Sequence, residues 1–192
     1  MLFRSGIMGR IYVRYRDAKA DKELGSWVYP AEWNGLANDQ TLTMPGLVRG
    51  GTYCFEARSQ EAGGTSSGWT APSCTVIAAD DRALSATSSW HRVTGSGYFL
   101  STATVSSSPA GYLSTATRAT AIWIVAKTCP SCGEVGVKNA GRTVWMSLTS
   151  ATTRNEAVLR VPLAGPINGT VEFVARSNGR LVTIDGFASL DD

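Results

Sequence analysis

Four cysteines and one histidine are the residues with the most evident chemistry in this 192-residue chain. Cys54 and Cys74 lie twenty positions apart, whereas Cys129 and Cys132 form a C-x-x-C motif. Either pair could be a redox couple, half of a metal site or a structural disulfide. A metal site needs further ligands, and His91 is the only histidine, so we interpret both pairs as disulfides.

The elements around the first pair support this interpretation. In the run TYCFEAR, strand alternation puts Tyr53 and Phe55 on one face and Cys54 on the other, outward face. A Gly/Ser-rich loop follows, and the chain then returns toward Cys74. In an antiparallel hairpin the opposed Cβ atoms lie ~4.5–5.5 Å apart. A disulfide there would stabilise the fold by roughly 3 kcal/mol.

The C-x-x-C motif reads Cys-Pro-Ser-Cys. It is half of a zinc ribbon, and no second half occurs. A redox site of the thioredoxin type places the motif at a helix N-terminus, where the thiolate is stabilised. Here Gly133 and the alternating run 134–137 predict a strand instead. We expect a small disulfide between Cys129 and Cys132 that closes a loop between two strands.

Catalytic residues are hard to find. The chain has no H-E-x-x-H and no phosphate-binding glycine loop. Glu134, Glu156, Glu172 and Asp185 fall on or next to different strands, so spacing predicts no glycosidase pair. His91 is interpreted as a partly exposed polar residue. We therefore expect the chain not to be an enzyme, and we expect no cofactor and no metal.

Composition narrows the partner classes. Charged residues make up 17% of the chain, below the usual ~25%, and the net charge of +3 is scattered along it. Nucleic acid is therefore not an expected partner. No apolar run approaches the ~20 residues of a membrane span. The opening MLFRSGIMGR lacks the apolar segment of about 7–15 residues that a signal peptide needs, so we interpret MLFRS as foreign sequence before a truncated reading frame.

Short alternating runs separated by turn residues predict an all-β fold. The predicted strands of the first half are 11–16, 27–29, 40–44, 52–59 and 73–78. Those of the second half are 89–93, 97–105, 111–117, 121–126, 134–137, 143–148, 157–161, 170–176 and 181–190. The polar stretch AADDRALSATSS separates the halves. We predict domains at 1–79 and 88–192 with a linker at 80–87.

The first half resembles the last strands of a fibronectin type III domain. The matching residues are Leu47, Gly50, Thr52, Tyr53, Phe55, Ala57 and Trp69. Tyr53 falls where that family has its tyrosine corner, whose hydroxyl binds upstream backbone. The resemblance covers about 6–79 and lacks the first two of seven strands. We therefore expect a truncated sandwich of about five strands, with Tyr12, Tyr15 and Phe55 poorly covered.

The second half resembles the galactose-binding-like β-jelly-roll domains of carbohydrate-binding modules, which follow fibronectin type III modules in secreted bacterial proteins. The features that carry the resemblance are Trp90, Gly97-Tyr98, the strand AIWIVA and the closing run from Val182 to Phe187. It implies a secreted, extracellular fragment of a larger parent chain, with polysaccharide or a cell-surface glycan as partner.

Exposed aromatic rings are the candidate ligand-binding groups, because such modules stack sugars on Trp and Tyr. Trp145 lies in a Ser/Thr-rich run and is the favoured ring, whereas the apolar run around Trp123 predicts burial. For Tyr98 and Tyr112 the sequence favours neither core nor surface, and Trp90 completes the set. Two functions stay open, a glycan- or surface-binding segment and a structural spacer or adhesion segment without a small ligand.

Overall fold

The computed structural model describes residues 9–19, 22–37, 40–176 and 179–191, so the MLFRS interpretation lies outside the described residues. The all-β prediction is confirmed: strands dominate, and the described helical segments are three single 3₁₀ turns, Ala31–Trp33, Asp81–Ala83 and Phe99–Ser101. The strands are β1 (Arg10–Lys19), β2 (Gly51–Gln60), β3 (Ser73–Val76), β4 (Ala79–Asp80), β5 (Ser85–Ala86), β6 (His91–Thr94), β7 (Thr102–Ser106), β8 (Leu113–Ala119), β9 (Ala121–Thr128), β10 (Glu134–Asn139), β11 (Arg142–Ser147), β12 (Arg154–Val161), β13 (Ile167–Arg176) and β14 (Val182–Leu190).

The first half forms a single antiparallel sheet in the order β1-β2-β3. The expectation of about five strands is wrong. The run 27–29 contributes one isolated bridge, between Val28 and Tyr15, and 40–44 forms no strand. On the inner face, Tyr15, Phe55 and Trp33 pack with ring centroids 5.5–6.3 Å apart. Trp33 is buried and the other two rings are half-buried, so the sheet has a small aromatic core.

Both predicted disulfides are present. Cys54 and Cys74 are direct neighbours in the β2–β3 register, and Cys129 is bonded to Cys132. These bonds are consistent with an extracellular protein. The hydroxyl of Tyr53 accepts a hydrogen bond of 2.7 Å from the backbone N–H of Val48.

From its outward position we expected the face that carries Cys54 to be exposed. It is not exposed, because an alternating stack of cations and rings lies on it. The guanidinium of Arg14 lies 4.4 Å from the Trp27 ring and 4.2 Å from the Trp69 ring. Arg58 continues the stack at 4.8 Å from Trp69. Cys54, on the same face, is fully buried. We call this stack of Arg14, Arg58, Trp27 and Trp69 the cation–π ladder.

The second half is a sandwich of two antiparallel sheets. One has the order β11-β10-β13-β8-β5, and the other has β12-β9-β14-β7-β6 with β4 also paired to β14. Apolar side chains of the two inner faces form one core, and the rings of Phe173 and Phe187 lie 6.2 Å apart across it. Alternation along β10 and β13 leaves their other faces mostly polar, with Gly136 and Val174 as exceptions.

Residues 80–87, which we expected to be a linker, are integrated into the sandwich. Asp81 and Leu84 are almost completely buried, and β4 pairs with β14. The first sheet contacts the same region, because Thr52 Oγ1 donates a hydrogen bond of 2.9 Å to the backbone oxygen of Ser189. The last strand of the sandwich therefore contacts both halves of the chain.

A register shift interrupts β14. Ile184 pairs with Ala126 and Gly186 with Val125, so Asp185 is the extra residue of a β-bulge. In a regular strand, residues three positions apart such as Ile184 and Phe187 would point to opposite faces. The bulge lets both pack into the core and aims the carboxylate of Asp185 at the chain before β7.

Candidate functional site

The aromatic residues proposed from the sequence as ligand-binding groups differ in how exposed their rings are. Trp90 is 4% exposed and part of the core, so it cannot stack on a ligand. Trp123, which we expected to be buried, is half-buried because it lies on the outer face of β9 beside Arg160 of β12. Tyr98 is half-buried and precedes the 3₁₀ turn before β7.

Trp145 and Tyr112 lie on the outer face of the five-stranded sheet, 37% and 39% exposed. Trp145 pairs with Gly136, and Gly136 pairs with Val174. The β13–β8 register ends with Phe173 opposite Leu113, and continuing it by one residue would place Tyr112 opposite Val174. We call Trp145, Gly136, Val174 and Tyr112 the transverse row. It crosses three strand spacings, about 14 Å.

Gly136 provides the space for the Trp145 ring. A Cβ at Gly136 would lie 2.8 Å from both Trp145 Cζ3 and Val174 Cγ2, closer than real Cβ atoms come. From the neighbouring row, the guanidinium of Arg176 lies 3.9 Å from the Trp145 ring centroid. The glycine and the stacked cation together fix the orientation of an exposed indole.

Ion pairs border the transverse row on both sides. Arg176 Nη1 lies 3.4 Å from Glu134 Oε2, and Lys138 Nζ lies 2.8 Å from Glu172 Oε2. Their side chains are partly exposed to solvent, so both ion pairs contribute little to the free energy of unfolding. The arrangement is an apolar, partly aromatic row with polar groups along its edges.

A polar hollow of about 430 Å³ adjoins the Trp145 end of the row. Its lining includes Gly133, Glu134, Ser147, Thr149, Arg176 and Arg180. The Cys129–Cys132 loop borders one side of this hollow, where Thr149 Oγ1 donates a hydrogen bond of 3.1 Å to the backbone oxygen of Cys132. Sequence reasoning missed this hollow, because its residues come from four separate segments.

Three aspartates, Asp80, Asp81 and Asp185, lie near one another at the six-stranded sheet. Asp81 accepts a hydrogen bond of 2.7 Å from Thr102 Oγ1, and Asp80 binds Arg82 through both carboxylate oxygens at 2.9 Å. Burial opposes the ionisation of Asp80, but the hydrogen bonds from Arg82 outweigh it and hold the pKa of Asp80 well below its usual range. Burial raises the pKa of Asp81 and brings that of Asp185 to about 6. At 0–7% exposure these carboxylates hold the fold together and cannot reach a substrate.

Within 9–19, 22–37, 40–176 and 179–191, no group of three or more His, Cys, Asp or Glu side chains is placed to hold a metal ion. His91 is exposed on β6. None of the helices in this part of the chain is long and apolar enough to cross a membrane.

No protein-family model matches this chain, and no curated protein matches it in sequence. Among solved structures, it is similar to the exo-β-1,3-galactanase of Phanerochaete chrysosporium with galactose, at a TM-score of 0.43 and 12% identity over 71% of this chain and 40% of that one. A variant of the same enzyme with β-1,3-galactotriose gives a TM-score of 0.41 and 12% identity over 86% and 58%. The chain thus spans about half the length of these structures.

These neighbours correct one expectation. We had expected the chain not to be an enzyme. Both structural neighbours are glycoside hydrolases, so enzymatic activity is not excluded and that expectation was wrong. The four carboxylates named from the sequence do lie on different strands, but the pairing of β4 with β14 brings Asp185 near Asp80 and Asp81, which are far from it in sequence. At TM-scores below 0.5, the likeness itself carries no argument about the activity of this chain.

Proposed function

We propose that this chain binds a carbohydrate chain along the transverse row, with Trp145 as the principal stacking ring. The observation that carries the proposal is the position of Trp145 and Tyr112, two exposed rings in register on one sheet face. A ligand that contacts both must span about 14 Å. A chain of several sugars can do so, and a single sugar cannot.

The chemistry of the row fits such a ligand. The apolar C–H faces of a sugar ring pack on an indole or a phenol ring, which buries apolar area while the sugar hydroxyls stay at the edge. The ion pairs Glu134–Arg176 and Lys138–Glu172 supply acceptors and donors at those edges. Because Gly136 and Arg176 already fix the orientation of the indole, little side-chain entropy is lost on binding.

The resemblances noted in the sequence give the proposal its setting. A fibronectin type III-like segment at 1–79 and a jelly-roll, carbohydrate-binding-like domain, which takes in residues 80–87 as well as 88–192, together form an accessory segment of a larger secreted protein. The two disulfides support an oxidising compartment for it. The ligand in this setting is a polysaccharide or a cell-surface glycan.

The test is binding of the whole chain to a glycan array and to soluble polysaccharides by affinity electrophoresis. Trp145→Ala removes the stacking ring and is expected to weaken binding at least tenfold. Tyr112→Ala is expected to have a smaller effect on short oligosaccharides than on long ones, because only long ligands reach it.

Trp123→Ala is the matched control. It also removes a partly exposed tryptophan from an outer face, but from the opposite sheet. Binding equal to that of the unmodified chain is expected. The proposal fails if the unmodified chain binds no glycan at high protein concentration, or if the two tryptophan variants lose binding equally.

A structural spacer is the second candidate function, and the junction between the two halves favours it. Thr52 and Ser189 share a buried hydrogen bond, and Arg118 Nη1 lies 3.0 Å from Glu23 Oε1. Contacts of this kind hold the halves in one orientation, which a spacer needs. The absence of any glycan binding, together with cooperative unfolding of the two halves, would favour this candidate.

A further inference from the structure

The polar hollow beside Trp145 is richer in donors than in acceptors. Arg176 and Arg180 line it, and Glu134 is the only acidic residue among the described residues that line it. Arg180 is exposed and forms no ion pair with any residue that the structure describes. Neutral sugars present hydroxyls that both donate and accept, so a site built for them needs a more even supply of both.

The Glu134–Arg176 pair does not remove this imbalance. Its nitrogen and oxygen lie 3.4 Å apart, and the two side chains are 50% and 42% exposed. Such a pair is weak and exchanges readily with an external anion. Arg176 stays in place when it does, because its guanidinium also stacks on the Trp145 ring.

Ser147 adds a further donor. Its Oγ already accepts a hydrogen bond of 3.1 Å from the backbone N–H of Thr149, so its hydroxyl hydrogen is directed elsewhere. Ser147 lies one row from Trp145 on the same face of β11, opposite Glu134. The donors therefore lie next to the ring on which a sugar would stack.

We propose that the glycan bound along the transverse row is acidic, and that Arg176 and Arg180 bind the anionic group of the sugar that stacks on Trp145. This inference rests on the proposed function. The anionic group is a carboxylate, as in a uronic acid, or a sulfate ester. Guanidinium groups bind both through paired, charge-assisted hydrogen bonds.

The test compares polygalacturonate with its fully methyl-esterified form, which differs in charge, and with κ-carrageenan, which carries sulfate. The unmodified chain is expected to bind one of the two acidic polymers about ten- to a hundredfold more tightly than the ester, in line with one or two charge-assisted hydrogen bonds. Added salt should shrink the difference. Preference for polygalacturonate assigns a carboxylate, and preference for κ-carrageenan assigns a sulfate.

Arg180→Gln is the diagnostic variant, since an exposed arginine can be replaced without loss of the fold. It should lower the acidic preference about tenfold and leave binding of the ester unchanged. Arg142→Gln is the matched control, because it removes the same charge from the opposite end of β11. Equal effects of the two variants would show a general charge effect and overturn the inference.

The inference and the proposed function fail in different ways. If the ester and neutral galactan bind as tightly as the acidic polymers, and Trp145→Ala abolishes all binding, the inference is wrong and the proposed function stands. If no polymer binds the unmodified chain, both are wrong.

Discussion

The backbone N–H of Phe99 donates a hydrogen bond of 2.9 Å to Oδ2 of Asp185, across 86 positions of the chain. The other carboxylate oxygen, Oδ1, is buried and has no hydrogen-bond partner among the described residues. This position of Asp185 follows from the β-bulge in β14, which directs its side chain toward the residues before β7. A charged carboxylate in this position is costly.

The cost of burying this charge makes the stability of the fold depend on pH. Burial raises the pKa of Asp185 to about 6, above its usual ~3.9. Folding therefore favours the protonated form, so this group stabilises most below pH ~4 and loses that contribution as the pH rises toward 6. Asp185→Asn keeps an acceptor for Phe99 and removes the charge. We expect its midpoint of thermal unfolding to exceed that of the unmodified chain by a few degrees at pH 7 and to match it near pH 4.

The comparison needs a control for carboxylates in general. Asp17→Asn changes an exposed aspartate of β1 and should leave the midpoint unchanged at both pH values. A lower midpoint for Asp185→Asn at pH 7 would contradict the assignment of a buried, costly charge.

The two disulfides should differ in their contribution to stability. The Cys54–Cys74 bond joins residues 20 positions apart, whereas the Cys129–Cys132 bond joins residues 3 apart. The chain-entropy model gives about 3 kcal/mol for the first and about 2 kcal/mol for the second. Urea unfolding of the double-alanine variants should show that order. A larger loss for the Cys129–Cys132 variant would argue that strain or packing outweighs loop closure.

Gly136 should be intolerant of any side chain. A Cβ would meet Trp145, Val174 and Thr143 at 2.8 Å, so Gly136→Ala must move the indole or open the β10–β11 pairing. We expect a loss of roughly 1–3 kcal/mol in the free energy of unfolding, as for other overpacked sites, together with weaker glycan binding. Gly165→Ala, where a Cβ meets open space, is the control and should change neither. Unchanged glycan binding by Gly136→Ala would separate the ring orientation from the proposed site.

The cation–π ladder should depend on guanidinium and not simply on positive charge. Arg14 stacks between Trp27 and Trp69, and its Nε and Nη2 both bind Glu56 Oε2. Lysine cannot supply a planar group to both rings. Arg14→Lys should therefore change near-ultraviolet circular dichroism and speed proteolysis of the first sheet. Arg10→Lys, at the exposed start of the same strand, should do neither.

Sequence patterns predicted the elements whose determinants are local. The apolar run of β9, the alternation of β2 and the positions of both disulfides followed from neighbouring residues. The run 40–44 forms no strand, and the run 27–29 pairs with β1 only through the bridge between Val28 and Tyr15. Propensity alone does not show how far such a run extends its pairing.

The candidate site was only partly predictable. A Ser/Thr-rich setting marked Trp145 as exposed, but its support from Gly136 and Arg176 depends on strand register, which no short pattern reveals. The approach of Asp185 to Asp81 depends on the pairing of β4 with β14 and on the bulge in β14. One extra residue only shifts the phase of the alternation, as between Ile184 and Phe187, and a single shift in so short a run does not identify a bulge by itself.

The position of β14 also has a consequence for synthesis on the ribosome. β14 is the central strand of its sheet, flanked by β9 and β7, yet it is the last described strand to emerge during translation. Until residues 182–190 leave the exit tunnel, the pairs β9–β12 and β6–β7 have no strand to join them. The sandwich therefore closes late, and a nascent chain stalled before β14 would expose the apolar side chains of β9 to chaperones.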